Sequence, residues 1–409
     1  MSKEHEALSL HEGFQGKLAV IPKKRLMPNN LGLMYTPGVA EPCKKIKENI
    51  DDVYRYTNKG NFVAVVSDGS AVLGLGNIGP EAGMPVMEGK AVLFKTMADI
   101  DAFPLCIRAN NAEEIIKTVE AIEPCFGGIN LEDICSPVCF EVENHLKKSM
   151  NIPVFHDDQH GTAIVVLAGI LNALKLVKKD ITKVMAVING CGSAGTAIAK
   201  MLLNAGIGDL VICDKDGILD PETQELPVHM VELAARTNKT GRKGLLADAM
   251  RGADIFIGVS RANLVSKEMA RSMANDAIIF AMANPVMEIN PEDAKAAGAR
   301  VAASGSSNYP NQVNNLLAFP GVMRGALEVR ASDINEEMKL AAANAIANII
   351  DEKELREDYI IPNPFDIRVV PAVAEAVAQA AIDTGVARRP MDPAVVYTKL
   401  YKHLSAYFD

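Results

Sequence analysis

Two acidic pairs and one lysine are the side chains best placed by type and spacing to do chemistry. Glu132-Asp133 follows the apolar residues Ile129 and Leu131, and Asp157-Asp158 follows Ile152-Pro153-Val154-Phe155-His156. Neighbours on a strand point to opposite faces, so a tandem pair can serve one site only at a strand end or in a loop. Both pairs read as lying at such ends. Three or four hard oxygens with no convergent Cys/His set suit Mg²⁺ or Mn²⁺ rather than zinc. Solvated carboxylates or helix caps are the alternative for either pair alone. His156 and His160 flank the second pair and read as positioning or packing residues. Lys90 ends the stretch Gly83 to Gly89 and opens an apolar run, Ala91 to Phe94, that reads as a strand. A partly desolvated lysine beside a divalent cation would have its pKa lowered and could act as a base. Tyr35, in Met34-Tyr35-Thr36-Pro37-Gly38, is by itself a loop aromatic.

A second constellation is a phosphate-binding loop. The β-branched run Val184 to Ile188 enters Gly190-Cys191-Gly192-Ser193-Ala194-Gly195, a helix is expected from Ala197 to Ala205, and the next strand, Asp209 to Cys213, ends at Asp214. The acidic residue stands roughly 24 positions after Gly190, near the spacing of a dinucleotide fingerprint. Gly192 lets the backbone approach a pyrophosphate, and Ser193, Ala194 and Gly195 open a helix whose free N–H groups favour anions. Asp214 is placed to accept hydrogen bonds from ribose hydroxyls. Its charge favours NAD over a 2′-phosphate, while the adjacent Lys215 could neutralise one, so NADP stays open.

These residues need a scaffold of parallel strands and covering helices. The first ~160 residues alternate short β-like runs with Gly/Pro turns and amphipathic stretches: Phe62 to Val66 reads as a strand, and Glu113 to Ile122 as a helix with Ile115, Ile116, Val119 and Ile122 on one face. A long helix is expected from Thr162 to Leu176, further strands at Ile255 to Gly258 and Ala277 to Ala281, and Ala-rich helices at Leu340 to Ile350 and Val370 to Ala381. The fold class is α/β, with a Rossmann-type dinucleotide-binding domain and an N-terminal α/β substrate and metal domain, followed by a helical C-terminal segment. The expected boundaries are 1–157, 158–314 and 315–409.

Composition narrows the function. A chain of 409 residues with 49% hydrophobic and 23% charged residues has the ordinary globular mix. Its net charge of −9 is opposite to a phosphate-tracking surface, which excludes nucleic acid as the expected partner. Seven cysteines, an odd number without CxxC spacing, read as buried hydrophobes in a reducing compartment. The charged N-terminus has no apolar h-region, and the run Thr162 to Val177 is interrupted by Asn172 and Lys175 and falls short of a bilayer span. A cytoplasmic protein without a membrane partner is expected.

Taken in order, the segments resemble the malic enzyme family over about Gly13 to Ala387. They are Tyr35 to Ala40, Gly74 to Gly79, Gly83 to Lys90, Leu131-Glu132-Asp133, Asp157 to Thr162, Asn284-Pro285, Asn314-Asn315 before Phe319-Pro320-Gly321, and Pro362 to Asp366. The resemblance implies oxidative decarboxylation of L-malate to pyruvate and CO₂ with NAD or NADP and Mn²⁺ or Mg²⁺, and with it decarboxylation of oxaloacetate. It also implies that Tyr35 is the general acid and Lys90 the general base. Glu132, Asp133 and Asp158 would be metal ligands, Asp157 the carboxylate holding Lys90, and Asn284 and Asn315 amides that bind substrate. Ala71 stands where larger members carry an arginine, leaving the cation for malate's second carboxylate unassigned. A homodimer is expected, and a stand-alone enzyme without the extra C-terminal domain of longer members; the short region before Tyr35 raises the hypothesis that Tyr35 is donated across the interface, with action within one chain the alternative. Two rival classes stay open: a 2-hydroxy-acid dehydrogenase that does not decarboxylate, and a non-catalytic NAD-sensing module. The first would not need three convergent carboxylates, and the second needs the glycine loop but not the acid, base and metal set.

Overall fold

The computed structural model describes residues 3–72 and 74–408. Two parallel sheets carry the architecture. The first has the order β2-β1-β3-β4, with β1 Phe62–Ser67, β2 Asp101–Cys106, β3 Gly128–Leu131 and β4 Val154–His156. The second has the order β10-β9-β8-β5-β6-β7, with β5 Met185–Asn189, β6 Asp209–Asp214, β7 Gly217–Ile218, β8 Ile255–Gly258, β9 Ile278–Ala281 and β10 Val301–Ser304. All pairings are parallel except β6 with the two-residue β7. Strands such as Val63 to Val66 and Ile255 to Ile257 are buried on both faces, which is why they read as unbroken apolar runs. In the second sheet the chain leaves β5 towards β6 and later returns to β8 on the other side. That reversal opens a crevice at the carboxyl ends of β5 and β8, where such sheets bind ligands.

One helix ties the sheets together. The aspartate helix, Asp157–Val177, starts directly after β4, five residues earlier than the apolar run indicates. Its first turn carries Asp157 and Asp158, whose charges suit the positive end of the helix dipole. It closes on Lys178, which is left-handed at φ 56°. At 21 residues it is long and apolar enough to cross a membrane, contrary to the shorter run read from sequence, yet fourteen of its residues are buried in the protein. A helix that is apolar all round belongs to a core. It packs against the dinucleotide helix, Ser193–Asn204, and against the helix Glu336–Ala347. A single apolar cluster therefore joins Phe94, Ile164, Ile198, Phe319 and Val373. Separate clusters line the outer face of each sheet.

The predicted strand Ala91 to Phe94 is instead the interior of the lysine helix, Gly79–Ala98. Its buried residues Gly83, Met87, Lys90, Ala91, Phe94, Met97 and Ala98 recur at helical spacing, so one stripe faces the core. Gly83, Pro85 and Gly89 are poor helix formers and hide this period in the sequence. Tertiary packing outweighs their propensity: Phe94 meets Phe319 edge-on with ring centroids 4.8 Å apart. Phe319 opens the helix Phe319–Glu328, which packs on the lysine helix together with the last helix, Pro393–Phe408.

The N-terminal stretch is built differently. No residue between 3 and 58 is buried, although helices form at Lys3–Phe14 and Ala40–Glu48. Leu8, Phe14, Val20, Ile21 and Leu33 expose their apolar side chains there.

Candidate active site

Adjacent parallel strands bring the two acidic pairs together. Leu131 at the end of β3 lies opposite His156 at the end of β4, so Glu132-Asp133 and Asp157-Asp158 emerge side by side at one sheet edge. Ligand oxygens of Glu132, Asp133 and Asp158 lie within 4.8 Å of one another. Glu132 and Asp133 are only 4% and 5% exposed. Asp133 is left-handed at φ 54°, and its N–H donates to Asp158 Oδ2 at 2.7 Å. Asn130 Nδ2 donates to Glu132 Oε2 at 2.8 Å.

Gathering like charges in a dry site makes ionisation costly. Burial, reinforced by the neighbouring aspartates, lifts Glu132 well above the usual carboxylate range despite Lys90. Burial and then Asp158 push Asp133 up to about 7. Asp158 is held low: burial opposes its charge, but His156, 3.2 Å away, outweighs it. The buried Oδ2 of Asp133 has no hydrogen-bond partner. An unpartnered oxygen among three converging carboxylates fits a hard divalent cation, with Glu132, Asp133 and Asp158 as its protein ligands.

Lys90 sits in the middle of its helix and 8% exposed, with Nζ donating to Asp157 Oδ2 at 2.5 Å and lying 2.9 Å from Glu132 Oε1. The Phe319 ring centroid is 4.1 Å from the same nitrogen. The lowered pKa expected for this lysine is not found. Burial works against the ammonium, yet Asp157 and then Glu132 hold it above the usual lysine value. A further positive charge among Glu132, Asp133 and Asp158 would compete for these oxygens and move it down.

Asp157 is fully buried and its pKa is pushed up to about 6, by burial against the pull of Lys90. Asn315 Nδ2 donates to its Oδ2 at 2.5 Å, so this predicted substrate amide is engaged with Asp157. A Cβ on Gly161 would stand 1.8 Å from Asp157 Oδ1, so the missing side chain one turn on makes the carboxylate's room. Behind Asp158, buried polar groups follow in sequence: His156 Nδ1 is 2.7 Å from Gln159 Nε2, which donates to Glu143 Oε2 at 3.0 Å, and Glu143 Oε1 is 2.7 Å from His160 Nε2.

The glycine loop lies at the crevice of the second sheet. Gly190 follows β5 at φ 105°, and Gly192 caps the dinucleotide helix, leaving Ser193, Ala194 and Gly195 in its first turn. A Cβ on Gly195 would stand 1.8 Å from Gly190 O, so only glycine closes the turn. Asp214 ends β6 and accepts from the N–H of Lys215 at 2.8 Å.

Two predicted site residues stand apart. Tyr35 is 68% exposed, and among the described residues no hydrogen bond joins it to Lys90 or the carboxylates. Asn284 is exposed, and its backbone oxygen lies 2.9 Å from where a Cβ of Gly74 would be, which brings the loop after β1 against the loop after β9. Sequence reasoning missed Asn130, Glu143, Gly161 and Phe319 as parts of this site. Gly161 and Phe319 lay within family-like segments without being given a role, and Asn130 had a local signal as a polar residue inside an apolar strand beside the acidic pair; Glu143 had none.

The family model for the malic enzyme N-terminal domain matches residues 15–147, and that for the malic enzyme NAD-binding domain matches residues 159–382. The chain is 57% identical over 404 residues to a bifunctional malic/malolactic enzyme of Bacillus subtilis, covering 98% of both chains. It is 54% identical over 371 residues to an NAD-dependent malic enzyme of Geobacillus stearothermophilus, covering 90% of this chain and 77% of the relative. An NADP-dependent malic enzyme of Escherichia coli is 46% identical, with 96% of this chain matching 54% of the longer relative. The crystal structure of a malic enzyme from Pyrococcus horikoshii has a TM-score of 0.96 at 46% identity, covering 100% and 97% of the two chains.

Proposed function

Because the chain belongs to the malic enzyme family, we propose that it oxidatively decarboxylates L-malate to pyruvate and CO₂ with NAD or NADP, dependent on Mg²⁺ or Mn²⁺, and decarboxylates oxaloacetate. The observation that carries this reading is the buried Lys90 paired with Asp157 beside three converging carboxylates. When bound, a divalent cation on Glu132, Asp133 and Asp158 supplies Lewis-acid stabilisation of negative charge, and a nicotinamide cofactor over Gly190 to Gly195 supplies the hydride acceptor.

The chain's own residues manage the protons. Lys90 takes the proton of the malate C2 hydroxyl, with Asp157 and Asn315 fixing its position. The Phe319 ring covers one side of its amine and keeps water away. Asn284 and Asn315 orient the substrate carboxylates at the junction of the two sheets. Tyr35 delivers a proton to C3 after CO₂ leaves, as a weak acid that need not ionise the site.

Tyr35 reaches this position from the partner of a homodimer. Supporting this are its exposure and the 56-residue stretch, 3–58, that forms helices yet contains no fully buried residue. The division of labour follows residues 1–157 for substrate and metal, 158–314 for the dinucleotide, and 315–409 as helices covering the first unit. The seven cysteines are free, in keeping with a reducing, cytoplasmic setting, but only Cys139, Cys191 and Cys213 are buried; Cys43 and Cys125 are exposed, contrary to the expectation that all pack as core hydrophobes.

The test is one assay of malate with NAD or NADP and Mn²⁺, with and without chelator, following reduced cofactor and pyruvate. Both products appearing in step, and only with metal, are expected. Reduced cofactor without pyruvate would establish a simple dehydrogenase, and neither product would establish a sensor. Hybrid dimers of Tyr35→Phe and Lys90→Ala subunits should regain activity; no recovery would refute donation across the interface.

A further inference from the structure

A second polar cavity, of about 300 Å³, opens at the edge of the first sheet away from the carboxylates. It is lined by Asn61, just before β1, and Asp99, just before β2, whereas the acidic pairs follow the strands' other ends. The six residues of β1 put roughly 20 Å between the two places.

Five cations line it, Lys23, Arg324, Arg330, Arg389 and Lys399, against two carboxylates, Asp99 and Glu328. Both carboxylates are already engaged. Asp99 pairs with Lys95 at 2.6 Å, and Glu328 pairs with Lys399 at 2.7 Å and stands 3.4 Å from Arg324. Among the described residues, no carboxylate lies within ion-pair distance of Arg330 or Arg389. A positive surplus is unexpected here in a chain of net charge −9.

The cations are built into the fold. Arg324 is 5% exposed; its Nη1 donates to Asn61 Oδ1 at 2.6 Å, while its buried Nε makes no hydrogen bond and meets only Glu328 Oε1, 3.4 Å away, an oxygen already shared with Lys399. Leaving a desolvated guanidinium donor unsatisfied is costly unless something else meets it. Arg330 is held left-handed at φ 49°, a strained backbone for arginine. Its guanidinium lies 4.5 Å from the Tyr54 ring centroid, and that of Arg388 lies 5.7 Å from the same centroid. Backbone bonds from Arg388 N to Arg330 O and from Arg389 N to Val329 O clamp these segments together. Two guanidiniums, those of Arg330 and Arg388, thereby share the Tyr54 ring although they repel.

We propose that this cavity binds a small oxyanion carrying at least two negative charges, of carboxylate or phosphate chemistry. Planar guanidiniums match both groups through paired N–H donors. The volume of about 300 Å³ admits a molecule of that size.

The experiment is titration calorimetry on the full chain, which has no tryptophan to report binding. Inorganic phosphate and the tricarboxylate tricarballylate are the two probes, and the tighter one identifies the source. The protein is stripped of metal and passed into a buffer free of chelator and other polyanions, so that the carboxylate cluster repels anions and nothing competes with the probes. Saturable binding at one site per chain is expected. Arg389→Gln/Lys399→Gln, at two exposed positions, should weaken it at least tenfold with an unchanged unfolding midpoint, and Lys23→Gln should weaken it separately. An unchanged isotherm in the double variant, or no saturable binding of either anion, would overturn the proposal. So would a double variant that splits the dimer while binding as before, because the cations would then serve a subunit contact. Malate turnover enters none of these readings, so this site stands or falls apart from the activity proposed above.

Discussion

Replacing Lys90 by Met keeps much of the side chain's volume and removes only its charge, which isolates the ammonium's role. Nζ is within 2.5 Å of Asp157 Oδ2 and 2.9 Å of Glu132 Oε1, and all three groups are buried. Removing one partner of a buried ion pair costs about 3–5 kcal/mol, since the other charge stays desolvated and unpaired. Unfolding entropy near ~2.1 cal/mol/K per residue gives a 409-residue chain roughly 0.9 kcal/mol/K. The loss then corresponds to a fall of about 3–6 °C in a concerted unfolding midpoint measured in chelator. The orphaned carboxylates can escape the cost by taking up protons. Their folded pKa values lie above the unfolded ones, so the penalty is full at high pH and fades as pH falls towards ~4. Millimolar Mg²⁺ should return part of the loss, because a cation on Glu132 replaces the missing charge. The assay is thermal unfolding of both proteins from pH 5 to 8, with chelator and with Mg²⁺. Equal midpoints in chelator across that range would refute the claim that Lys90 neutralises these carboxylates.

Three further outcomes follow from the same geometry. Gly161→Ala places a methyl where Asp157 Oδ1 now sits, 1.8 Å away, and must displace the carboxylate that positions Lys90; kcat should fall about 100-fold, the usual effect of an ångström-scale misplacement, with cofactor affinity unchanged in a binding titration. Glu132→Ala or Asp158→Ala should abolish turnover while calorimetry still detects dinucleotide binding, because the glycine loop belongs to the other sheet; loss of both together would mean the two sites are not separate. Glu143, buried and bonded to His160 and Gln159, is held down at about 2: burial opposes its charge, but His160 overcomes it. A depressed carboxylate stabilises the fold above the unfolded pKa near 4.5 and loses that stability as pH falls towards 2, on the order of 3 kcal/mol here. Glu143→Gln should therefore unfold more easily at pH 7 in a urea titration and show a flatter loss of stability between pH 4.5 and 2.

The dinucleotide loop was legible because its parts are contiguous. A strand, a glycine turn, a helix and a closing acid within some 25 residues leave little for tertiary structure to decide. The acidic pairs were legible in kind, since tandem carboxylates after apolar runs mark strand ends, but their convergence depends on β3 and β4 being neighbours. The lysine helix was misread because three weak helix formers interrupt it, and only its packing against Phe319 makes the period pay. Asn315 reaches Asp157 across 158 positions, and such a contact leaves no trace in either local pattern. Lys90's raised pKa was missed for a related reason: its sign depends on which charges surround it, and the sequence shows only which charges exist.

The aspartate helix binds these findings into a mechanical consequence. It is about 30 Å long, with Asp157 and Asp158 at one end and its flank packed on the dinucleotide helix of the other sheet. Glu132 and Asp133, by contrast, are anchored to β3. Any rocking of one sheet against the other must turn this helix about its junction with β4, moving Asp158 relative to Glu132 and Asp133. With the proposed cation on these three carboxylates, cleft width and the spacing of its ligands would be a single coordinate, so a change in one sheet's position would be felt at the ion.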